Sequence, residues 1–296
     1  MNVLITGANG FIGKHLCTRY EQAGHRVFKT SRSVGYQTDI TEQSYIEQLC
    51  REKFIDLIVH TAAKPIVSNC EDDPFNALKT NTLGTASVLE AARQAGVKRT
   101  IIFETDKVYG SQDVVPTKED ANYNPRSPYE LSKSLASTIC DFYRSYYSQD
   151  VISIRLVNIY GPGDDNLTRI IPATMMALAK QTQIPLYKHA EEMERDFLYV
   201  KDLVDMVYLL STTNPKHRVY NTSMTSPWKI KDLVASICDV LGEPRPLNSI
   251  DCGRTFTEIP IQQIDGTRFV EEYGFNFTNF DVSMRETFAY YENLHN

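Results

Sequence analysis

The chain has no long basic tract, and its formal net charge is −6. That balance makes nucleic acid and anionic membrane surfaces poor partners. No apolar stretch is long enough to span a bilayer. The chain opens on a strand-like run, without the basic and apolar regions of a secretory signal. Its six cysteines show no CxxC spacing, and its six histidines show no metal-ligand spacing. Cys17, Cys50, Cys140 and Cys238 fall within helical patterns and read as small core residues. Internal repeats and low-complexity segments are missing too. These absences lead to the expectation of a cytoplasmic protein that uses no metal. With 296 residues, 42% of them hydrophobic, the chain can build a large core in one elaborate domain or two joined ones.

The most informative stretch is NVLITGANGFIG, from Asn2 to Gly13. Val3, Leu4 and Ile5 form a short apolar run suited to a buried parallel strand. Gly7, Gly10 and Gly13 follow at a spacing of three, and then a helical pattern begins, with Ile12, Leu16 and Tyr20 on one face. Strand, glycine turn and helix in that order make a dinucleotide site. Gly7 allows the turn, Gly10 lets the backbone approach a pyrophosphate, and Gly13 lets the helix pack against the strand. The spacing is GxxGxxG, not the commoner GxGxxG.

Strands are expected at 26–31, 56–60, 100–104 and 151–156, with helices at 41–54, 74–95 and from Pro128 onward. This alternation means a doubly wound parallel sheet of the Rossmann kind, with the ligand at the strands' carboxyl ends. The second strand ends in Thr30-Ser31-Arg32. An NAD site usually places an acidic residue there, so a guanidinium beside hydroxyls favours NADP, unless Arg32 is simply solvated. Asp39 and Ile40 fall where such folds often contact adenine, and Ala62 and Ala63 leave room for a cofactor. In the helix at 41–54, Tyr45, Ile46, Leu49 and Cys50 share a face. Ser127, Pro128 and Glu130 form a capping box, and Leu131, Leu135, Ile139 and Phe142 are read as that helix's buried stripe. After Asn158 the rhythm changes to a smaller interleaved lobe. Helices are expected at 167–180, 200–211, 228–241 and 282–294, with strands at 185–187, 218–221 and 257–264. The division reads as 1–157 plus 199–222 for the dinucleotide domain, and 158–198 plus 223–296 for the substrate-binding lobe.

Tyr129 and Lys133 lie four apart on a helix and so share a face. An ammonium beside a phenol favours the phenolate, which can take a hydroxyl proton while a hydride leaves the same carbon. Thr105 at the end of a strand could bond the same oxygen. Alone, the Tyr–Lys pair would also suit a plain helix surface.

Together these motifs resemble the extended short-chain dehydrogenases/reductases, in the sugar-nucleotide epimerase and dehydratase branch. The resemblance rests on Gly7 to Gly13, His60 to Ala63, Thr105 to Gly110, Tyr129 with Lys133, Arg155 to Gly163, and Arg195-Asp196-Phe197 with Val200 to Asp202. It implies NAD or NADP held by Gly7, Asn9, Gly10, Phe11, Ile12, Gly13, Arg32, Asp39, Ile40, Ala62, Ala63, Asn81, Tyr129 and Lys133. It also implies a nucleoside-diphosphate sugar contacted by Asn158, Arg195 and Arg254, and a homodimer through a four-helix bundle. Asp106-Lys107 looks like the pair in CDP-glucose 4,6-dehydratases, as does Gly161 to Asp164 leading to Arg169 and Pro172. In that chemistry Lys107 would take the C5 proton and Asp106 would protonate the departing C6 oxygen. His189 to Met193 stands where many relatives have a glycine-rich run, and the chain is short for a dehydratase. A 4-epimerase or an NADPH-dependent 4-ketoreductase is therefore the alternative, and a non-catalytic cofactor-binding protein the remote one.

Overall fold

The computed structural model describes residues 1–33, 35–243, 247, 249–251 and 259–295. Strand β1 (Asn2–Thr6) leads through the glycine turn into helix α1 (Phe11–Gln22). Then come β2 (Arg26–Ser31), β3 (Tyr36–Gln37), α2 (Gln43–Glu52) and β4 (Leu57–His60). After α3 (Val67–Asp72), one helical run passes from α4 (Pro74–Ala77) through a π-turn (Leu78–Leu83) into α5 (Gly84–Ala95). Strand β5 (Arg99–Thr105) ends in a 3₁₀ turn (Asp106–Tyr109), and α6 (Pro128–Tyr147) precedes β6 (Val151–Leu156). The remainder is β7 (Asn158–Tyr160), α7 (Ile170–Ala179), β8 (Glu194–Arg195), β9 (Phe197–Tyr199), α8 (Val200–Thr212) and β10 (Val219–Thr222). It closes with β11 (Trp228–Lys229), α9 (Ile230–Leu241), β12 (Ile261–Gln262), α10 (Thr267–Tyr273) and α11 (Phe280–His295).

Seven strands form one sheet in the order β10-β6-β5-β4-β1-β2-β3. The pairs β1–β2, β2–β3, β1–β4, β4–β5 and β5–β6 are parallel. The chain winds outward from β1 through β2 to β3, then restarts on the other side with β4. That reversal opens a crevice at the carboxyl ends of β1 and β4, where doubly wound sheets bind ligands. Val3, Leu4, Ile5, Ile58, Val59, Ile101 and Ile102 are fully buried within these strands. Such continuous apolar runs are what a sheet covered on both faces requires.

The chain divides into two compact units. The first comprises Met1–Gly110, Glu119–Leu156 and Val204–Asn221; the second comprises Ser111–Lys118, Val157–Leu203 and Thr222–Asn296. In the second unit β8 lies between β11 and β12, and β7 pairs with β9.

Several local expectations need correction. Leu131, Leu135 and Phe142 are exposed, while Ile139 of the expected stripe is half-buried against the Leu89, Ile102, Cys140 and Val151 cluster. The buried side of α6 carries Tyr129, Ser132, Lys133, Ser134, Ala136, Ser137 and Cys140. Small residues there let the helix sit close to the sheet. Tyr45 of α2 is exposed beside buried Ile46, Leu49 and Cys50. The strand expected at 185–187 is reduced to a single bridge between Tyr187 and Ile250. Residues 228–229 are a strand, and only then does α9 begin. The strand expected at 257–264 begins outside the described residues; β12 covers Ile261–Gln262.

Candidate active site

Gly7 has φ +69°, and a Cβ there would lie 2.7 Å from Ala62 N and from Thr61 Oγ1. The glycine turn is thus pressed against the end of β4. At Gly13 a Cβ would lie 2.2 Å from the Gly7 carbonyl, so only glycine lets α1 start this close to the turn. Gly10 is the N-cap of α1, with no side chain capping the helix. A Cβ on Gly10 would meet only the Gly7 oxygen, at 3.2 Å. The first N–H groups of α1 and the positive end of its dipole therefore lie open beside a bare backbone. This cradle fits the diphosphate of a dinucleotide. Phe11 and Ile12 form its first helical turn and are half-buried.

The β2 end lies next to the turn, because Asn9 Nδ2 donates to Ser33 Oγ at 3.2 Å. Arg32 is exposed there. Asp39 accepts both the backbone N–H and the hydroxyl of Thr41, each at 2.9 Å. The Thr41 backbone bond is the largest cause holding its carboxyl below the usual range. The Ile40 side chain is buried beneath α5, where a Cβ on Gly84 would come within 2.5 Å of its Cδ1. Ala62 and Ala63 are half-buried just past β4.

Asn81 is buried in the π-turn. Its Oδ1 accepts from Lys64 N at 2.7 Å, and its Nδ2 donates to Lys64 O at 3.2 Å and to Ser132 Oγ at 2.9 Å. With both amide hydrogens and the oxygen engaged, it ties the segment after β4 to α6.

Tyr129 and Lys133 share the buried face of α6. The Ser127 hydroxyl accepts from Glu130 N at 3.2 Å, and Glu130 Oε2 accepts from Ser127 N at 3.2 Å, so the capping box sets the first turn. Tyr129 packs among Cys70, Ala77 and Val67. Lys133 Nζ donates to the Phe103 carbonyl of β5 at 2.6 Å. Burial pushes the Lys133 ammonium down, and the Glu104 carboxylate opposes that. Thr105 caps the 3₁₀ turn, accepting from Lys107 N at 3.3 Å. Its hydroxyl donates to Asp106 Oδ1 at 3.1 Å. Asp106 is buried and Lys107 half-buried.

Behind these groups lies a polar cluster to which the sequence reading gave no role. Arg155 Nε donates to Glu104 Oε2 at 3.1 Å, and both side chains are buried. The guanidinium also donates to the Tyr109 hydroxyl, to Glu119 O at 2.7 Å and to the Tyr123 hydroxyl at 2.6 Å. The signal was present: a Glu and an Arg closing apolar strands have to pair once buried.

In the second unit, Asn158 Nδ2 donates to Asp196 O at 3.1 Å, which sets it beside Arg195. Arg195 is buried and donates to Glu194 O at 2.9 Å and Pro260 O at 3.2 Å. Glu192 pairs with Lys229 and Lys231. Arg254 lies outside the described residues. Among the described residues no group of three or more His, Cys, Asp or Glu could hold a metal ion, and no helix is long and apolar enough to cross a membrane.

Three known proteins share much with this chain. UDP-glucuronic acid decarboxylase 1 of Xenopus tropicalis is 31% identical over 235 residues, which is 72% of this chain and 54% of that protein. The chain thus matches about half of that relative's length. UDP-glucose 4-epimerase from Thermotoga maritima, solved with UDP-glucose, superposes with a TM-score of 0.92 at 22% identity over the whole of both chains. The dTDP-glucose 4,6-dehydratase of Streptomyces venezuelae, solved with NAD, gives 0.86 at 24% identity, over 99% of this chain and 97% of that one. At such identities the two superpositions speak for the fold. The decisive match is a sequence pattern that runs over residues 3–223, from β1 past β10, and so takes in the whole seven-stranded sheet. By that match the chain belongs to the NAD dependent epimerase/dehydratase family.

Proposed function

We propose that the chain is a nucleoside-diphosphate-hexose 4,6-dehydratase using NAD or NADP. The observation that carries this reading is Asp106-Lys107, held directly after Thr105 on a 3₁₀ turn with Asp106 buried. An epimerase or a ketoreductase needs one proton-transferring group at C4. A dehydratase needs two more, for C5 and C6, and this turn supplies them. The relatives' names, a decarboxylase, an epimerase and a dehydratase of sugar nucleotides, support the substrate class.

The glycine cradle, Asn9 and the first turn of α1 would hold the cofactor's diphosphate, with Ala62 and Ala63 alongside. Arg32 and Ser33 at the end of β2 favour a 2′-phosphate, hence NADP. A nicotinamide held there would supply reversible hydride exchange, first with C4 and then with C6. Tyr129, as phenolate beside the Lys133 ammonium, takes the C4 hydroxyl proton. The C4 carbonyl that forms acidifies C5, and Lys107, as amine, removes that proton. Asp106, protonated, delivers a proton to the C6 oxygen, which leaves as water. Lys107 gives its proton back to C5, and the proton on Tyr129 restores Asp106. Asn158 and Arg195 would meet the substrate's sugar or diphosphate.

The outward face of α6, with Leu131, Leu135, Phe142 and Tyr146 exposed, supports a homodimer in which a second copy covers it. The function test is stoichiometric. Incubation with a panel of nucleotide sugars should yield a keto product lighter by one water, with no net cofactor consumption. Consumption of one NADPH per turnover would make the chain a reductase, and an isomer without keto product would make it an epimerase. Lys107→Ala should abolish water loss; full-rate dehydration by that variant overturns the C5 assignment.

A further inference from the structure

We propose that Glu104 is the buried counter-charge that keeps Lys133 an ammonium, and that Arg155 holds the carboxylate in place for that purpose. The inference rests on the role given to Lys133 above. Residues Glu104 and Arg155 are direct cross-strand partners in the β5–β6 register, as are Ile102 and Ser153. Alternation along a strand puts Ile102 and Glu104 on one face. Ile102 packs against Cys140 of α6, so this is the face that α6 covers. Lys133, Ser137 and Cys140 recur at helical spacing on the buried side of α6 and face the same layer.

The charges in that layer do not balance without Glu104. Lys133 is buried, and its ammonium has the neutral carbonyl of Phe103 as a hydrogen-bond partner. Arg155 is also buried, and its other N–H groups go to uncharged oxygens of Tyr109, Glu119 and Tyr123. Glu104 is the carboxylate whose charge acts on the Lys133 ammonium, and removing it would leave that buried cation facing neutral partners. Oxygen Oε2 takes Arg155, while Oε1 has no well-aligned hydrogen-bond partner among the described residues. The hydroxyls of Ser153 and Ser137 also favour the charged carboxylate, whose field reaches Lys133. Burial alone would raise the Glu104 pKa, but Arg155 overrides this, so the group stays ionised. The other titratable groups facing the layer are His60 from β4, Cys140, Asp141 and Arg144 from α6, Tyr109 from the 3₁₀ turn, Glu119 and Tyr123. Arg144 has its own partner in Asp141. Glu104 touches no reacting atom in this scheme. It is a positioning residue, acting on Tyr129 through the charge of Lys133.

The test measures that charge directly, without substrate. Lysine carrying ¹³C at Cε is incorporated, Lys133 is assigned by comparison with Lys133→Met, and its titration is followed by NMR. In Glu104→Gln the Lys133 midpoint should fall by at least about one pH unit, tenfold in the proton-binding constant. Glu104→Asp, which keeps the charge, should recover most of that shift. Should Glu104→Gln fail to fold, Glu104→Gln/Arg155→Met removes both ions together, the change that buried pairs tolerate best. The midpoint should fall there too. A folded variant lacking the carboxylate whose Lys133 titrates as in the native chain overturns the proposal. So does a Lys133 already neutral at pH 7 in the native chain. The two readings fail separately: a keto product with an unresponsive Lys133 sinks this inference alone, and a responsive Lys133 without product sinks the dehydratase alone.

Discussion

His60 shows what a single residue at the end of a strand contributes. Its Nδ1 lies 2.7 Å from Thr6 Oγ1 and its Nε2 3.3 Å from Thr85 Oγ1, so it links β1, β4 and α5 just beneath the glycine turn. Burial, assisted by the nearby Lys133 charge, pushes its pKa down from 6.5 to about 3. The folded state therefore holds it neutral, while the unfolded chain binds a proton below about 6.5. Stability is lost as pH falls through that window, by about 1.4 kcal/mol per pH unit from this group. His60→Gln should flatten the loss between those pH values, read by urea unfolding at a series of pH values. Parallel curves for the two proteins would show that His60 does not titrate on unfolding. None of this role was legible in the sequence, where His60 appeared only as the start of a small-residue motif. Gly7 and Gly13 were legible, because a missing Cβ has one physical use in a strand-to-helix turn. Asn81 was not, because its partners Lys64 and Ser132 are brought to it by separate elements.

At the scale of elements, the start of α6 was readable residue by residue and its orientation was not. Ser127, Pro128 and Glu130 carry a local hydrogen-bond code, and the observed capping box follows it. Which face turns inward depends on the space left by the sheet. Small side chains won that competition, against the rule that larger apolar residues are buried first. Strands β2 and β6 fell at the expected boundaries, β6 because it is a compact apolar run and β2 because Gly24 breaks the helix before it. The π-turn left no periodicity to read. Since Tyr129 sits in the first turn of α6, the cap would be coupled to the chemistry proposed for that residue. Ser127→Ala should destabilise the protein by about 1 kcal/mol. It should also lower kcat more than it raises KM, as the tyrosine's turn frays. Thermal melts and steady-state kinetics with the nucleotide sugar check both; an unchanged kcat would detach the cap from catalysis.

At the scale of the whole molecule, the doubly wound sheet was legible because alternating strands and helices admit few topologies. The short strands of the second unit were not, since two or three residues carry too little pattern. The outward apolar face of α6 belongs to this scale too. A double substitution, Leu131→Arg with Leu135→Arg, should convert a dimer into a folded monomer by sedimentation equilibrium, with circular dichroism unchanged. A native chain that sediments as a monomer would leave that face without its second copy. One consequence follows from the way the first unit is assembled. Its seventh strand, β10, comes from residues 219–222, after the chain has made an excursion of some length into the second unit. A ribosome must deliver more than two hundred residues before β6 gains its outer neighbour. Until then the nascent sheet presents β6 as a bare, sticky margin. A fragment cut after Leu156 would keep that margin for good, making it a poor candidate for independent expression.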